Sequence, residues 1–204
     1  MLIPFKNIYD NYGLKITGIL HVGAHDCEEL KDYEEIISRD KILWIEAIPE
    51  KVESCKNKYE NLLIENATVY DEIIDTEFKI ANNGQSSSIL NFGLHQQLYP
   101  HIIYTSSFNV KTKLLSDIIS HYNIKFNFIN LDIQGTELNA LKGMKDYLVN
   151  IDYIYSEVNS NYVYQNCALV NELDDFLGQY GFKRIQTEWV NGCSWGDAFY
   201  IKQK

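Results

Sequence analysis

The chain has 204 residues, 46% of them hydrophobic and 13% aromatic, and a formal net charge of −10. That length predicts one domain spanning residues 1–204, and the apolar content excludes a disordered chain. The acidic balance excludes a phosphate-tracking surface, because nucleic-acid affinity needs Lys and Arg to displace counterions, so no nucleic-acid partner is expected.

Residues 1–16 lack a firm period and read as an N-terminal arm or a short helix within Asn7 to Tyr12. The run Gly18-Ile19-Leu20-His21-Val22 then suits a buried strand, with Gly23 and Ala24 making a tight turn where backbone can approach closely. Asp26 is a candidate N-cap for a helix from Cys27 to Ile37, whose apolar face carries Leu30, Tyr33, Ile36 and Ile37. Such a turn is expected to offer free backbone N–H groups to a ligand. Lys41 to Glu46 is a second strand ending in an acid, and Pro49 opens a helix through Val52, Cys55 and Tyr59.

Leu62 to Val69 and Glu77 to Ala81 read as further strands. Between residues 82 and 104 the chain has turn chemistry (Asn82 to Ser88), then a segment rich in His, Gln and Tyr, which reads as a lid over a site. Phe108 to Lys113 is a strand and Leu114 to Tyr122 a helix. Phe126 to Asp132 and Ile151 to Glu157 are two more strands ending in acids, with a helix from Thr136 to Leu148 between them. A helix over Leu169 to Tyr180 stops at Gly181. Phe182 to Val190 and Trp195 to Lys202 form an antiparallel pair around Asn191-Gly192. This alternation predicts an α/β fold, a mostly parallel sheet with helices on both faces, which binds ligands outside the carboxyl ends of its strands. Gly23, Glu46, Asp132 and Glu157 all fall there.

A carboxylate ending the second strand can accept hydrogen bonds from both hydroxyls of a ribose, so Glu46 points to an adenosyl ligand, either NAD or S-adenosylmethionine. The acidic strand ends and the antiparallel ending favour the second, whose sulfonium tolerates an acidic pocket. Tyr70 and Asp71 are candidate adenine contacts. Asp132 or Glu157 can take a proton as general base, with His25 in reserve. Those two acids with Asn159 also make an oxygen-rich Mg²⁺ set, but no clustered ligand spacing supports a metal, so none is predicted. Ser86, Ser87, His95, Tyr99 and His101 in the lid mix hydrogen-bonding groups with aromatic platforms, as a sugar acceptor requires.

Cys27, Cys55, Cys167 and Cys193 have no CxxC spacing and fit free thiols in a reducing compartment. No run reaches the length of a signal-peptide core or a membrane span, so a soluble cytoplasmic protein without membrane insertion is expected. The oligomeric state stays open.

Several motifs together resemble the FkbM family of methyltransferases: His21-Val22-Gly23-Ala24-His25, Trp44-Ile45-Glu46-Ala47-Ile48-Pro49, Ser86-Ser87-Ser88, and above all Asp132-Ile133-Gln134-Gly135-Thr136-Glu137 running on to Gly143. Gly196-Asp197-Ala198-Phe199 looks like the family's closing strand. The resemblance implies a class I methyltransferase fold, a Rossmann-like three-layer sandwich whose seven-stranded sheet ends in an antiparallel strand. It also implies methyl transfer from S-adenosylmethionine, with S-adenosylhomocysteine as product, usually to a hydroxyl of a small molecule or glycan. The cofactor set is then His21, Gly23, Ala24, His25, Glu46, Ala47, Tyr70, Asp71, Ser88 and Asp132. The alternatives are a nicotinamide-dependent oxidoreductase, disfavoured by the missing GxGxxG, and a catalytically silent cofactor-binding scaffold.

Overall fold

Residues of each central strand alternate between two apolar layers, and that alternation builds the molecule. The computed structural model describes residues 1–203. On one face Leu20, Val22, Leu43, Ile45, Ile129, Leu131, Ile154 and Val158 join the packed core beneath α5 (Leu115–Ile119), α6 (Glu137–Lys142) and α7 (Val170–Gly178). On the other face Ile19, Ile42, Trp44, Phe128, Tyr155 and Phe199 pack against α1 (Phe5–Tyr12), α2 (Leu30–Glu34) and α3 (Pro49–Lys58).

The sheet runs in the order β3 (Leu63–Asn66), β2 (Ile42–Glu46), β1 (Ile19–Val22), β6 (Phe128–Leu131), β7 (Tyr153–Asn159), β9 (Trp195–Lys202) and β8 (Phe182–Trp189). The five strands from β3 to β7 pair in parallel, and β9 is antiparallel to both of its neighbours. The expected mostly parallel seven-stranded sheet with an antiparallel closing strand is the one formed. No helix among the described residues is long and apolar enough to cross a membrane.

Several elements differ from expectation. The N-terminal segment does contain a helix, α1, which buries Phe5 and Ile8 and ends at Gly13 in the left-handed region. Phe5 meets Tyr33 and Phe128 edge-on, so this helix is part of the core. The helix expected from Cys27 shrinks to Leu30–Glu34, because His25 (φ 44°) and Cys27 (φ 54°) adopt left-handed conformations that no α-helix accommodates. Asp26 caps nothing and instead holds Lys51 at 2.9 Å. The helix expected to reach Leu148 breaks after Lys142 and resumes as a 3₁₀ segment, with Lys145 at φ 52°. The strands β4 (Asp75–Ala81) and β5 (Tyr104–Lys111) pair with each other outside the main sheet, joined by a loop holding the single-turn helix α4 (His95–Leu98).

Candidate active site

A cavity of about 560 Å³ opens at the carboxyl ends of β1, β2, β6 and β7, a volume ordinary for a small-molecule site. One half is bounded by the Gly23 turn, Glu46 to Ile48 and Ala67 to Val69; the other by residues 83–87, His95, Tyr99, Tyr164 and Trp195. Asp132, Gln134, Glu157 and Asp197 lie on its wall as well.

The Gly23 turn is built by close backbone approach. Gly23 has φ +95°, and a Cβ there would fall 1.9 Å from the Asp132 carbonyl oxygen. Its N–H does not wait for a ligand, contrary to expectation: the N–H groups of Gly23 and Ala24 both donate to the Ile45 carbonyl at 2.9 and 3.0 Å, and that of His25 donates to Glu46. The turn is thus tied to β2, and Gly23 and His25 line the cavity while Ala24 is buried in the core beside it. His21 also lines the cavity. Its ring stacks on Trp44 at 4.4 Å, its Nδ1 lies 3.0 Å from the Tyr33 hydroxyl, and burial lowers its pKa toward the neutral form.

Glu46 ends β2 inside the cavity wall. Its Oε2 accepts from the His25 N–H and its Oε1 from the Ile48 N–H, both at 2.8 Å, while burial raises its pKa against those bonds. Each oxygen keeps a further lone pair for a ligand hydroxyl. Ala47 lines the cavity beside it. Tyr70 and Asp71 do not: Asp71 accepts from Asn139 at 3.1 Å, and the chain passes the cavity earlier, at Ala67, Thr68 and Val69. Ser88 is likewise removed from the lining, because its hydroxyl is spent on the Gln134 carbonyl at 2.9 Å, knitting the 82–92 segment to the turn after β6.

Asp132, Glu157 and Asp197 lie across three neighbouring strands. The side-chain amide of Gln134 donates to Asp132 Oδ1 at 2.6 Å and to Glu157 Oε2 at 3.1 Å, so it bridges the two acids. Asp132 is exposed and lines the cavity, and the protein atoms packed around it together with the Asp197 charge raise its pKa. Burial and the Asp132 charge do the same to Glu157. Asp197 accepts from the Tyr155 hydroxyl and from the Leu2 N–H, which brings residues 1 and 2 onto the cavity wall. Glu137 is structural, as its place in the helix suggests: its Oε1 accepts from the Ile133 and Gly135 N–H groups.

His25 is poorly suited as a base. Its Nδ1 is 2.8 Å from Glu28 Oε1; that bond raises the imidazole pKa and pulls the Glu28 carboxyl down to about 2. The segment 82–104 brings Ser86, Ser87, His95 and Tyr99 to the cavity, and leaves His101 exposed outside it. It is a packed wall: Gly93 and His95 N–H groups donate to the Val163 carbonyl, and Phe92 stacks on His95 and Tyr104 at 4.3 and 4.0 Å. Asn159 is buried behind the cavity, not on it, since it pairs with Trp195 at the strand end.

Asn159 thus does not join Asp132 and Glu157 on the cavity wall. Among the described residues the ligating atoms of His25, Asp26 and Glu28 do lie within 4.8 Å of one another, but His25 is bonded to Glu28 and Asp26 to Lys51, which makes an ion-pair network of them. No role is assigned from the sequence to Gln134, Tyr155, Tyr164, Asp197, Ala67 to Val69 or the first two residues, though Asp197 stands in the Gly196-Asp197-Ala198-Phe199 motif. The Gln134 signal was present, as the middle of the Asp-x-Gln-Gly stretch.

The profile of the methyltransferase FkbM domain matches residues 21–184. No curated protein matches the chain. Among solved structures, an S-adenosylmethionine-dependent methyltransferase from Clostridium acetobutylicum ATCC 824 is similar with a TM-score of 0.56 at 8% identity, the match covering 100% of this chain and 90% of that one. A ribosomal protein L11 methylase from Lactobacillus delbrueckii subsp. bulgaricus gives 0.55 at 9% identity, over 96% and 74%. The magnesium protoporphyrin IX methyltransferase (ChlM) of Synechocystis PCC 6803, crystallised with S-adenosylhomocysteine, gives 0.51 at 7% identity, over 96% and 78%. At such identities the likeness is one of fold, and it is the class I methyltransferase fold. With the family profile running from the first strand of the sheet into its closing pair, the chain belongs to the FkbM family of S-adenosylmethionine-dependent methyltransferases.

Proposed function

We propose that this chain moves a methyl group from S-adenosylmethionine to a hydroxyl oxygen of a small polar acceptor, a sugar by the composition of residues 82–104. The observation that carries the reading is the Gln134 bridge, which joins Asp132 and Glu157 on the cavity wall. The donor set suits the cofactor, because unpaired carboxylates at raised pKa favour a ligand with net positive charge. Glu46 would take the ribose hydroxyls, Ile48 and Ala67 to Val69 the adenine, and His21, Gly23 and Glu29 would border the methionine end.

The bound cofactor supplies an electrophilic methyl group on a sulfonium. The chain orients the acceptor with Ser86, Ser87, His95 and Tyr99 and keeps water out. Asp132 takes the hydroxyl proton as the new C–O bond forms and the C–S bond breaks; a carboxylate with a raised pKa is the better base near neutral pH. The four free thiols suit a reducing, cytoplasmic setting.

Calorimetry with S-adenosylhomocysteine tests the cofactor half. Incubation with methyl-labelled cofactor and a saccharide panel, read by mass spectrometry, tests the acceptor half. Cofactor binding with transfer to lipid or protein and to no saccharide would overturn the acceptor reading.

A further inference from the structure

Glu157 on β7 is the direct cross-strand partner of Asp197 on β9, and Asp132 stands one position beyond the Leu131–Ser156 pair, beside Glu157. Like charges facing each other on adjacent strands repel, and more strongly away from bulk water. All three acids line the cavity, to which no Lys or Arg among the described residues contributes.

The other acids of the cavity are provided for. Glu28 is paired with His25, Glu29 holds the Met1 ammonium at 3.5 Å, and Glu46 has its two backbone donors. The row of three makes no ion pair among the described residues, and the Met1 ammonium, paired with Glu29, acts on Asp132 and Asp197 only from a distance. Gln134 covers one oxygen of Asp132 and one of Glu157, and Tyr155 with the Leu2 N–H covers one oxygen of Asp197. The remaining oxygens receive no hydrogen bond from the described residues. A ligand ammonium set among these acids relieves their mutual repulsion.

A second, independent observation lies across the same cavity. His95 is only 4% exposed, its Nε2 is 3.1 Å from the Ser86 hydroxyl, and its buried Nδ1 has no partner. His95 lines the cavity, and an unpartnered buried polar atom there carries a cost that a ligand's hydrogen-bonding group can offset.

We propose that the acceptor carries an ammonium group as well as hydroxyls, as an amino sugar does, with Glu157 and Asp197 holding the ammonium and His95 Nδ1 meeting a hydroxyl. The proposal rests on the methyl-transfer reading of this cavity. A protonated amine has no lone pair to attack with, so the hydroxyl remains the nucleophile and the amine serves as the handle. Acceptors with a phosphate or carboxylate at that position are repelled.

The test is calorimetry on protein saturated with S-adenosylhomocysteine, at a pH where glucosamine is protonated, with glucosamine, glucose, N-acetylglucosamine and glucose 6-phosphate as probes. Glucosamine is expected to bind at least about tenfold more tightly than glucose or its N-acetyl counterpart, as a charge-assisted hydrogen bond provides. Glucose 6-phosphate is expected not to bind. Glu157→Gln is expected to bring glucosamine to within about threefold of glucose. If that variant does not fold, the wild-type comparison of glucosamine with its N-acetyl form decides alone. Equal affinities, tighter binding of the phosphate, or no glucosamine binding overturns the proposal. In each of those cases intact binding of S-adenosylhomocysteine leaves the methyl-transfer reading standing; failure of that binding removes both.

Discussion

The Tyr164 hydroxyl donates to Oε1 of Gln134 at 2.6 Å. That bond decides which end of the amide faces the acids: with the oxygen taken by Tyr164, the NH₂ is left to bridge Asp132 and Glu157. Tyr164→Phe keeps the ring among Phe92 and His95 and removes this control together with the hydroxyl's weaker 3.3 Å contact to the Ser86 carbonyl. Methyl transfer is expected to fall about tenfold, with cofactor-product affinity unchanged, because misorientation affects the reacting geometry more than cofactor binding. Steady-state rates set beside calorimetry check it; equal loss in both would place Tyr164 in cofactor binding instead.

Glu46→Ala should cost cofactor affinity roughly 1–3 kcal/mol, the range for a charge-assisted hydrogen bond or for partners left unpaired. It should also lower the melting temperature, because the His25 and Ile48 N–H groups lose their acceptor. A folded variant with unchanged affinity for S-adenosylhomocysteine would take Glu46 out of the site.

Gly23→Ala places a methyl group against the Asp132 carbonyl at a positive φ. A loss of stability on the order of 3 kcal/mol is expected from clash and backbone strain together. Denaturant unfolding measures it, and a variant as stable as the parent would show that the β1–β6 approach is looser than described.

Burial and the Asp197 charge hold the Asp132 carboxyl above its ordinary pKa. A group raised in this way stabilises the fold below its unfolded pKa and loses that contribution as pH rises through the folded value. His21 and His95, lowered by burial, act in the opposite sense: their contribution is present above the ordinary imidazole pKa and lost as pH falls. The carboxyl effect is therefore isolated by difference. Asp132→Asn should raise the melting temperature of the ligand-free protein more at about pH 8 than at about pH 5. A gain that does not vary with pH would mean that Asp132 carries no raised pKa.

His95→Phe preserves the stack on Phe92 and removes both ring nitrogens. Cofactor-product binding should stay within about twofold, while transfer to the acceptor falls about tenfold, the effect of deleting one positioning hydrogen bond. Unchanged transfer would make residues 82–104 a wall without a role in acceptor recognition.

The strands at the centre of the sheet were legible because they are short, fully buried apolar runs that end in a glycine or an acid, and the closing pair because Asn191-Gly192 marks its turn. What lies around the turns was less legible. Whether the Gly23 and Ala24 N–H groups are free depends on the Ile45 carbonyl of another strand, and a chain read locally does not show that partner. The same holds for Asp197, which becomes a neighbour of Glu157 only through β7–β9 register, and for Gln134, whose orientation is set from Tyr164, thirty positions away. Tyr70 and Asp71 were displaced from the cavity by a shift of only a few residues along the chain after β3, where no periodicity fixes the path.

The position of β9 has a bearing on biosynthesis. It enters the sheet between β7 and β8, so the ninth strand in chain order fills an interior slot. A nascent chain emerging from the ribosome would hold β7 with a bare edge, and β8 with no strand beside it, until Trp195 to Lys202 had cleared the exit tunnel. Asp197 travels on that strand, so the third acid arrives after the remainder of the pocket has been translated. Ribosome stalling upstream of β9 should therefore yield a protease-sensitive species whose pocket lacks Asp197.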